Sequence, residues 1–175
     1  MCSALILPVI RSERLILRRP RSNDAARIAQ LCNDYDITRM TTRMPWPYGL
    51  TEAQFFVDVM QEQDPKLENA FLIDVGGEVV GCVGLMMGER HPEIGYWIGR
   101  AYWGQGFATE AARAALRWAR DDWRKKVVVA GHFADNPASG VVLNKCGFLY
   151  TGEVEKRFSV ARGEDAATRM MVWIA

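Results

Sequence analysis

Hydrophobic positions along the chain follow two periods, and the changes between them divide the chain into strands and helices. Short apolar or alternating runs predict strands at about 14–19, 71–75, 79–85, 93–98, 127–133, 148–155 and 168–174. Apolar residues that recur three and four positions apart predict helices at about 23–32, 51–64, 108–123 and 137–146. The polar segments 33–50 and 156–167 are predicted to be loops, and Pro45 and Pro47 exclude a regular helix around Trp46.

The order of these elements predicts a mixed sheet. Gly76 and Gly77 separate two strand patterns, which is typical of a β-hairpin. The strand at 93–98, the helix at 108–123 and the strand at 127–133 follow one another directly, so they predict a βαβ unit with parallel strands.

The junction between the 93–98 strand and the following helix is the most distinctive stretch. Gly104 and Gly106 flank Gln105, so the backbone can turn sharply and a ligand can approach it closely. The first N–H groups of the helix lack intrahelical partners and favour an anion such as a pyrophosphate. The spacing matches neither the dinucleotide-binding fingerprint nor a Walker loop. A tight turn that binds nothing is the alternative interpretation.

Composition narrows the class of protein. The 175 residues, 49% hydrophobic and 25% charged, predict a single globular domain over 1–175, with 1–11 as a short N-terminal extension. A net charge of +1 gives no electrostatic basis for nucleic-acid binding. Four scattered cysteines and two distant histidines predict reduced thiols, a cytoplasmic location and no metal site. The apolar run 5–10 is short and contains Pro8, so neither a signal peptide nor a membrane span is expected.

Several motifs, in order, resemble the GNAT superfamily of acyl-CoA-dependent N-acyltransferases. They are Glu93-Ile-Gly-Tyr-Trp-Ile98, Trp103-Gly-Gln-Gly-Phe-Ala-Thr-Glu-Ala111, Asn136-x-x-Ser139 and Asn144-Lys-Cys-Gly-Phe148. The segments 12–18 and 44–48 are also similar to the branch of ribosomal-protein alanine and serine N-terminal acetyltransferases. The resemblance covers about 12–174. It implies an α+β, three-layer α/β/α fold with about seven strands and four helices, mostly antiparallel, with a splayed parallel pair in the middle.

The resemblance also implies a coenzyme, acetyl-CoA. The backbone amides of the turn would hold its pyrophosphate, and the end of the 93–98 strand would pair with its pantetheine arm. Asn136 matches the family asparagine that contacts the coenzyme, although capping its own helix is an adequate alternative. The implied coenzyme-binding residues are Trp97, Ile98, Gly99, Gln105, Gly106, Phe107, Ala108, Thr109 and Asn136.

Acetyl transfer to an amine needs a proton acceptor, a donor for the departing thiolate and a group that stabilises the oxyanion. Glu93, on the strand beside the cleft, is the first candidate for the base, with Glu110 and His132 as weaker rivals; each also has a purely structural explanation. Many family members carry a proton-donor tyrosine where this chain has Leu143. Ser139 or water would then protonate the sulfur. A main-chain N–H near residues 97–98 would stabilise the oxyanion.

The implied function is N-acetyltransfer from acetyl-CoA to a primary amine, such as a protein N-terminus. The alternatives are a small-molecule amine acceptor (a polyamine, an amino sugar or an antibiotic) and a non-catalytic module that binds acyl-CoA. The loops at 33–50 and 156–167 are expected to select the acceptor. The expected partners are therefore acetyl-CoA and an amine, without membrane or nucleic acid, and a homodimer is left open.

Overall fold

The computed structural model describes residues 8–175, which form an eight-stranded sheet with five α-helices around it. The strands are β1 (Ile10–Arg11), β2 (Ile16–Arg18), β3 (Glu68–Val75), β4 (Glu78–Met87), β5 (Pro92–Ile98), β6 (Val127–Phe133), β7 (Leu149–Ser159) and β8 (Glu164–Ile174). The helices are α1 (Ala25–Cys32), α2 (Tyr35–Thr38), α3 (Leu50–Glu62), α4 (Phe107–Asp121) and α5 (Pro137–Lys145). The first seven residues of the predicted N-terminal extension lie outside the described part of the chain.

The sheet diverges in its middle. Its strand order is β1-β2-β3-β4-β5-β6-β8-β7, and the neighbours are antiparallel except for β5 and β6. These two parallel strands pair only where Glu93 lies opposite Val129, while β4 stays paired with β5 as far as Ile98. The prediction of a splayed parallel pair within a mostly antiparallel sheet is confirmed, and the gap opens towards the carboxyl ends of β5 and β6.

Helices cover both faces of the sheet, as the three-layer prediction requires. On one face, α1 and α3 bury Ile28 and Val57 against Leu72 of β3. On the other face, α4 buries an alanine-rich side that includes Ala115, and Leu143 of α5 joins the same core. Small residues on α4 let the helix approach the sheet closely, directly behind β4 and β5.

The structure corrects three details of the predicted elements. It has eight strands rather than about seven, because Ile10–Arg11, inside the predicted extension, pairs with β2 over two residues, too few to show a period. It has five helices rather than four, because Asp34 caps the single turn of α2 within the predicted 33–50 loop. The predicted 156–167 loop is wrong, since β7 continues to Ser159 and β8 begins at Glu164. The part of β7 beyond the predicted strand at 148–155 gave no alternating signal because β7 is a largely exposed edge strand.

The cysteines of the described region are packing residues. Cys32, Cys82 and Cys146 are buried and unpaired within residues 8–175. Burial raises the pKa of Cys82 to about 12 and that of Cys146 to about 11, so both stay as thiols at neutral pH. Residues 8–175 bring no three His, Cys, Asp or Glu side chains into a metal-binding group. Within the same residues, no helix has both the length and the apolar character that a membrane span requires.

Candidate active site

The turn that leads into α4 is an open cradle of N–H groups. Gly104 and Gly106 have φ values of +75° and +80°, a region that L side chains rarely occupy. Gly106 is the N-cap of α4, and the N–H of Glu110 is the first to reach back, to the Gly106 carbonyl at 3.1 Å. The N–H groups of Phe107 to Thr109 therefore have no intrahelical acceptor. With no side-chain cap at this end, these residues fit a diphosphate group.

Arg14, from the segment before β2, fixes the orientation of this turn. Its Nη1 donates to the carbonyl of Gln105 at 3.0 Å, and its Nε donates to Glu110 at 2.7 Å. The Gln105 carbonyl and the Gly106 N–H belong to one planar peptide and point in opposite directions. The Gly106 N–H therefore points away from the Arg14 guanidinium. Arg14 lies inside the 12–18 segment on which part of the family resemblance rests, but its contact with the turn could not be recognised from sequence.

Glu110, one rival for the catalytic base, is occupied by the same contact. Its carboxylate accepts from the Ser12 hydroxyl at 2.7 Å and from both the backbone N–H and the guanidinium of Arg14. Burial alone would raise the pKa of Glu110, but these hydrogen bonds outweigh it and lower the pKa overall. Glu110 therefore anchors the N-terminal segment to α4 and is not free to accept a substrate proton.

Several backbone groups at the end of β5 are hydrogen-bonded within the protein. The N–H of Gly99 donates to Val80 at 2.8 Å, and its carbonyl accepts from Tyr102 at 2.9 Å. The indole of Trp103 donates to the carbonyl of Ile98 at 2.7 Å. Because alternate N–H groups of a strand point to opposite edges, the Ile98 N–H is directed towards the gap beside β6. The coenzyme contacts of Trp97, Ile98 and Gly99 stay predictions, and Ile98 offers the main-chain donor.

Ser139 lies in the first turn of α5 and meets a tyrosine from β5. The Asn136 side-chain oxygen accepts from the Ser139 N–H at 3.3 Å, so Asn136 caps its own helix, and its amide nitrogen remains available for the predicted coenzyme contact. The Tyr96 hydroxyl lies 2.9 Å from the Ser139 hydroxyl. Burial raises the pKa of Tyr96, so its phenol remains protonated at neutral pH. The alternation of side chains along β5 places Tyr96 on the opposite face of the sheet from Glu93. Its contact with Ser139 was not recognisable from sequence.

His132, the other rival base, is enclosed beneath α5. Its Nε2 lies 2.9 Å from the Tyr150 hydroxyl and its Nδ1 lies 2.9 Å from the Phe133 carbonyl. Only a glycine fits above it, since a Cβ at Gly140 would be 2.8 Å from Nε2. Both ring nitrogens have protein partners and the residue is buried, so His132 supports the packing of α5 on β6.

Glu93 lies on the opposite face of the sheet from Ser139, beside an opening. Gly95, two residues further along β5, is solvent-exposed although its strand is central, and no atom lies within 4 Å of the position of a Cβ there. Glu93 forms an ion pair with Arg157 of β7 at 2.5 Å. Burial alone would lower the pKa of Arg157, but its hydrogen bonds to Glu93 and Glu155 outweigh it and raise the pKa. The contact with Arg157 thus fixes the orientation of Glu93 at the wall of the opening.

An ion-pair chain connects the ends of the two diverging strands. It begins just after β5, crosses the segment that contains α2, and ends on the loop after β6 and the β7–β8 turn. Its N–O distances lie between 2.6 and 3.5 Å. The residues of this ion-pair chain, in order, are Arg100, Asp34, Asp36, Arg39, Asp135 and Arg162. It brings the 33–50 segment and the β7–β8 turn together at the same end of the gap.

Comparisons with known proteins agree with this architecture. The family model described as an acetyltransferase (GNAT) domain matches residues 14–149. An N-acetyltransferase of Bacillus licheniformis named p20 is 30% identical over 149 residues, which is 81% of this chain and 82% of that protein. Mycobacterium smegmatis RimJ, solved with a CoA disulfide, superimposes with a TM-score of 0.84 at 22% identity, covering 96% of this chain and 88% of that one. A Vibrio cholerae spermidine N-acetyltransferase, solved with CoA and spermine, superimposes with a TM-score of 0.78 at 21% identity. The match covers 93% of this chain and 96% of that one.

Proposed function

The chain belongs to the GNAT acetyltransferase family, and we propose that this acyltransferase moves the acetyl group of acetyl-CoA to the α-amine at the N-terminus of a protein or peptide. The observation that carries the proposal is the two-sided gap between β5 and β6. The phosphate cradle and Ser139 lie on the side of α4 and α5, whereas Glu93 and the exposed Gly95 lie on the other. A coenzyme and an amine can therefore approach the gap from opposite faces of the sheet.

The residues of the first side would hold the coenzyme. The N–H groups of Gln105, Gly106, Phe107, Ala108 and Thr109 would bind its diphosphate, supported by the positive end of the α4 macrodipole. Asn136 would donate through its amide nitrogen, and the edge of β5 at residues 97–99 would accommodate the pantetheine arm. When bound, acetyl-CoA supplies an acetyl group already activated as a thioester.

Three groups of the chain would then accept the amine proton, stabilise the developing oxyanion and protonate the departing sulfur. Glu93 binds the incoming amine and accepts its proton, directly or through water, as the amine nitrogen bonds to the acetyl carbon and the carbon–sulfur bond breaks. The Ile98 N–H stabilises the negative charge that develops on the carbonyl oxygen. Ser139 donates a proton to the departing sulfur, and Tyr96, which is hydrogen-bonded to it, orients the hydroxyl. Glu93 then releases the amine proton to solvent, and the Ser139 hydroxyl regains a proton from water, so both groups return to their starting state.

The test is release of free thiol from acetyl-CoA by the purified protein with a panel of amines. The panel contains short peptides with an N-terminal alanine or serine, spermidine, an amino sugar and a no-amine control. We expect the peptides to accelerate thiol release and to gain an acetyl group at the α-nitrogen, seen by mass spectrometry. Binding of acetyl-CoA without accelerated release by any amine would instead identify a non-catalytic coenzyme-binding module.

Replacing Ser139 by alanine is expected to lower kcat by about 100-fold, because the departing thiolate loses its proton donor. Tyr96→Phe removes only one hydrogen bond to that hydroxyl and should lower kcat by roughly 2–10-fold. Steady-state kinetics with a peptide acceptor would check both values, with coenzyme affinity measured separately by calorimetry. A kcat for Ser139→Ala within a factor of two of the wild type would assign the proton transfer to water.

A further inference from the structure

Arg157 reaches the gap from a strand that does not border it. In the sheet order, β8 and β6 separate β7 from β5. The Arg157 side chain crosses this distance over the bare backbone of Gly131, where a Cβ would lie 3.4 Å from its Nη1. It ends at Glu93, in an ion pair of 2.5 Å. The pair therefore forms part of the wall of the opening above Gly95.

Each partner of this ion pair keeps a hydrogen-bonding atom for a ligand. The contact uses Oε1 of Glu93 and Nη1 of Arg157, while Nε of Arg157 donates to Glu155. Among residues 8–175, neither Oε2 of Glu93 nor Nη2 of Arg157 takes part in a hydrogen bond. The two side chains are 29% and 23% exposed, so solvent and ligands can reach them. The wall thus offers an acceptor and a donor side by side.

The wall of the opening holds a cation beside the carboxylate of Glu93, because Arg157 lies between Glu93 and Glu155. A polyamine carries several cations and would place one of them near Arg157, which opposes its binding. An α-aminoacyl group has the complementary pattern, because its ammonium and its carbonyl oxygen are separated by only two carbons. The ammonium matches the carboxylate of Glu93, and the carbonyl oxygen matches the guanidinium of Arg157.

We propose that Arg157 is a specificity-determining residue that binds the carbonyl oxygen next to the acceptor amine, so that the enzyme selects α-aminoacyl compounds over simple alkylamines and polyamines. This inference rests on the proposed function, because it assumes that the amine approaches Glu93. It goes further by assigning the recognition of the carbonyl oxygen to a residue of the segment 156–167, which the sequence predicts to be a loop.

The test compares two amines that differ by one group. L-Alaninamide carries the carbonyl oxygen, whereas isopropylamine has a methyl group in place of the carboxamide. In Arg157→Met, the KM for L-alaninamide is expected to rise by about 10–100-fold, the loss of one hydrogen bond to a charged group. The KM for isopropylamine should stay within twofold. The ratio of variant to wild type for each amine cancels the difference in their basicity.

The control and a second variant make the result decisive. Arg117→Met removes an exposed arginine of α4 and should leave both amines unchanged. Arg157→Lys keeps the positive charge but loses the planar guanidinium. It should raise the KM for L-alaninamide alone, and by less than Arg157→Met does. Equal losses for both amines in Arg157→Met would show that Arg157 only holds Glu93, and a wild-type preference for spermidine would also overturn the proposal. If no amine reacts with the wild type although acetyl-CoA binds, the proposed function itself fails.

Discussion

Gly106→Val is expected to weaken acetyl-CoA binding by at least about 100-fold, the equivalent of losing one or two hydrogen bonds to charged phosphate oxygens. Gly106 has a φ of +80° and directs its N–H outward from the start of α4. A branched side chain resists that conformation and projects beside Arg14, whose Nη2 lies 3.4 Å from the added Cβ. The turn would relax, and the N–H groups would no longer converge. Isothermal titration calorimetry with CoA measures the effect.

A matched substitution separates binding from stability. Gly76→Val, in the β3–β4 hairpin, imposes similar backbone strain at a φ of +62°, and no atom lies within 4 Å of the added Cβ. Both variants should lose stability by about 1–3 kcal/mol. Only Gly106→Val should lose affinity for the coenzyme. Pantetheine lacks the diphosphate, so its affinity for the two variants should be similar. If Gly106→Val and the wild type bound CoA equally, the diphosphate would have to lie elsewhere.

The turn before α4 and its outward N–H groups could be predicted from sequence because the residues that form them are neighbours in the chain. Gly104 and Gly106 permit the positive φ values, and the helical spacing that follows fixes where the free N–H groups begin. The pairing of β5 with β6 followed from the same reasoning, since a strand, a helix and a strand in direct succession leave few topologies. In both cases the residues that determine the structure are near neighbours in the chain.

The surroundings of Glu93 could not be predicted from sequence because their contacts are long-range. Arg157 meets Glu93 across 64 positions of the chain, and its path depends on the absence of a side chain at Gly131. The strand that carries Arg157 is an exposed edge, so polar residues occupy it without cost and the hydrophobic period disappears. Tyr96 could be placed on a face by alternation, but its partner Ser139 belongs to a helix whose position depends on the whole sheet.

Glu93→Gln is expected to lower kcat by about 100-fold or more, with little change in coenzyme affinity, because the amide cannot accept the proton of the attacking amine. The substitution conserves shape, and the amide oxygen can still accept from Arg157, so the wall of the opening should remain in place. Steady-state rates across a pH series, with CoA affinity measured in parallel, test the assignment. A pH–rate profile like that of the wild type would remove Glu93 from the mechanism.

Glu155→Gln is the control that shows whether Glu93 acts as a base or only as an ion-pair partner of Arg157. Glu155 accepts from Nε of Arg157 at 2.9 Å, and its side chain is 47% exposed, away from the contact with Glu93. Loss of either carboxylate leaves Arg157 with one fewer negative neighbour, so any effect that acts through Arg157 alone should appear in both variants. An effect confined to Glu93→Gln identifies this carboxylate as the group that takes the proton. Equal losses of kcat in the two variants would instead attribute the effect to the charge on Arg157.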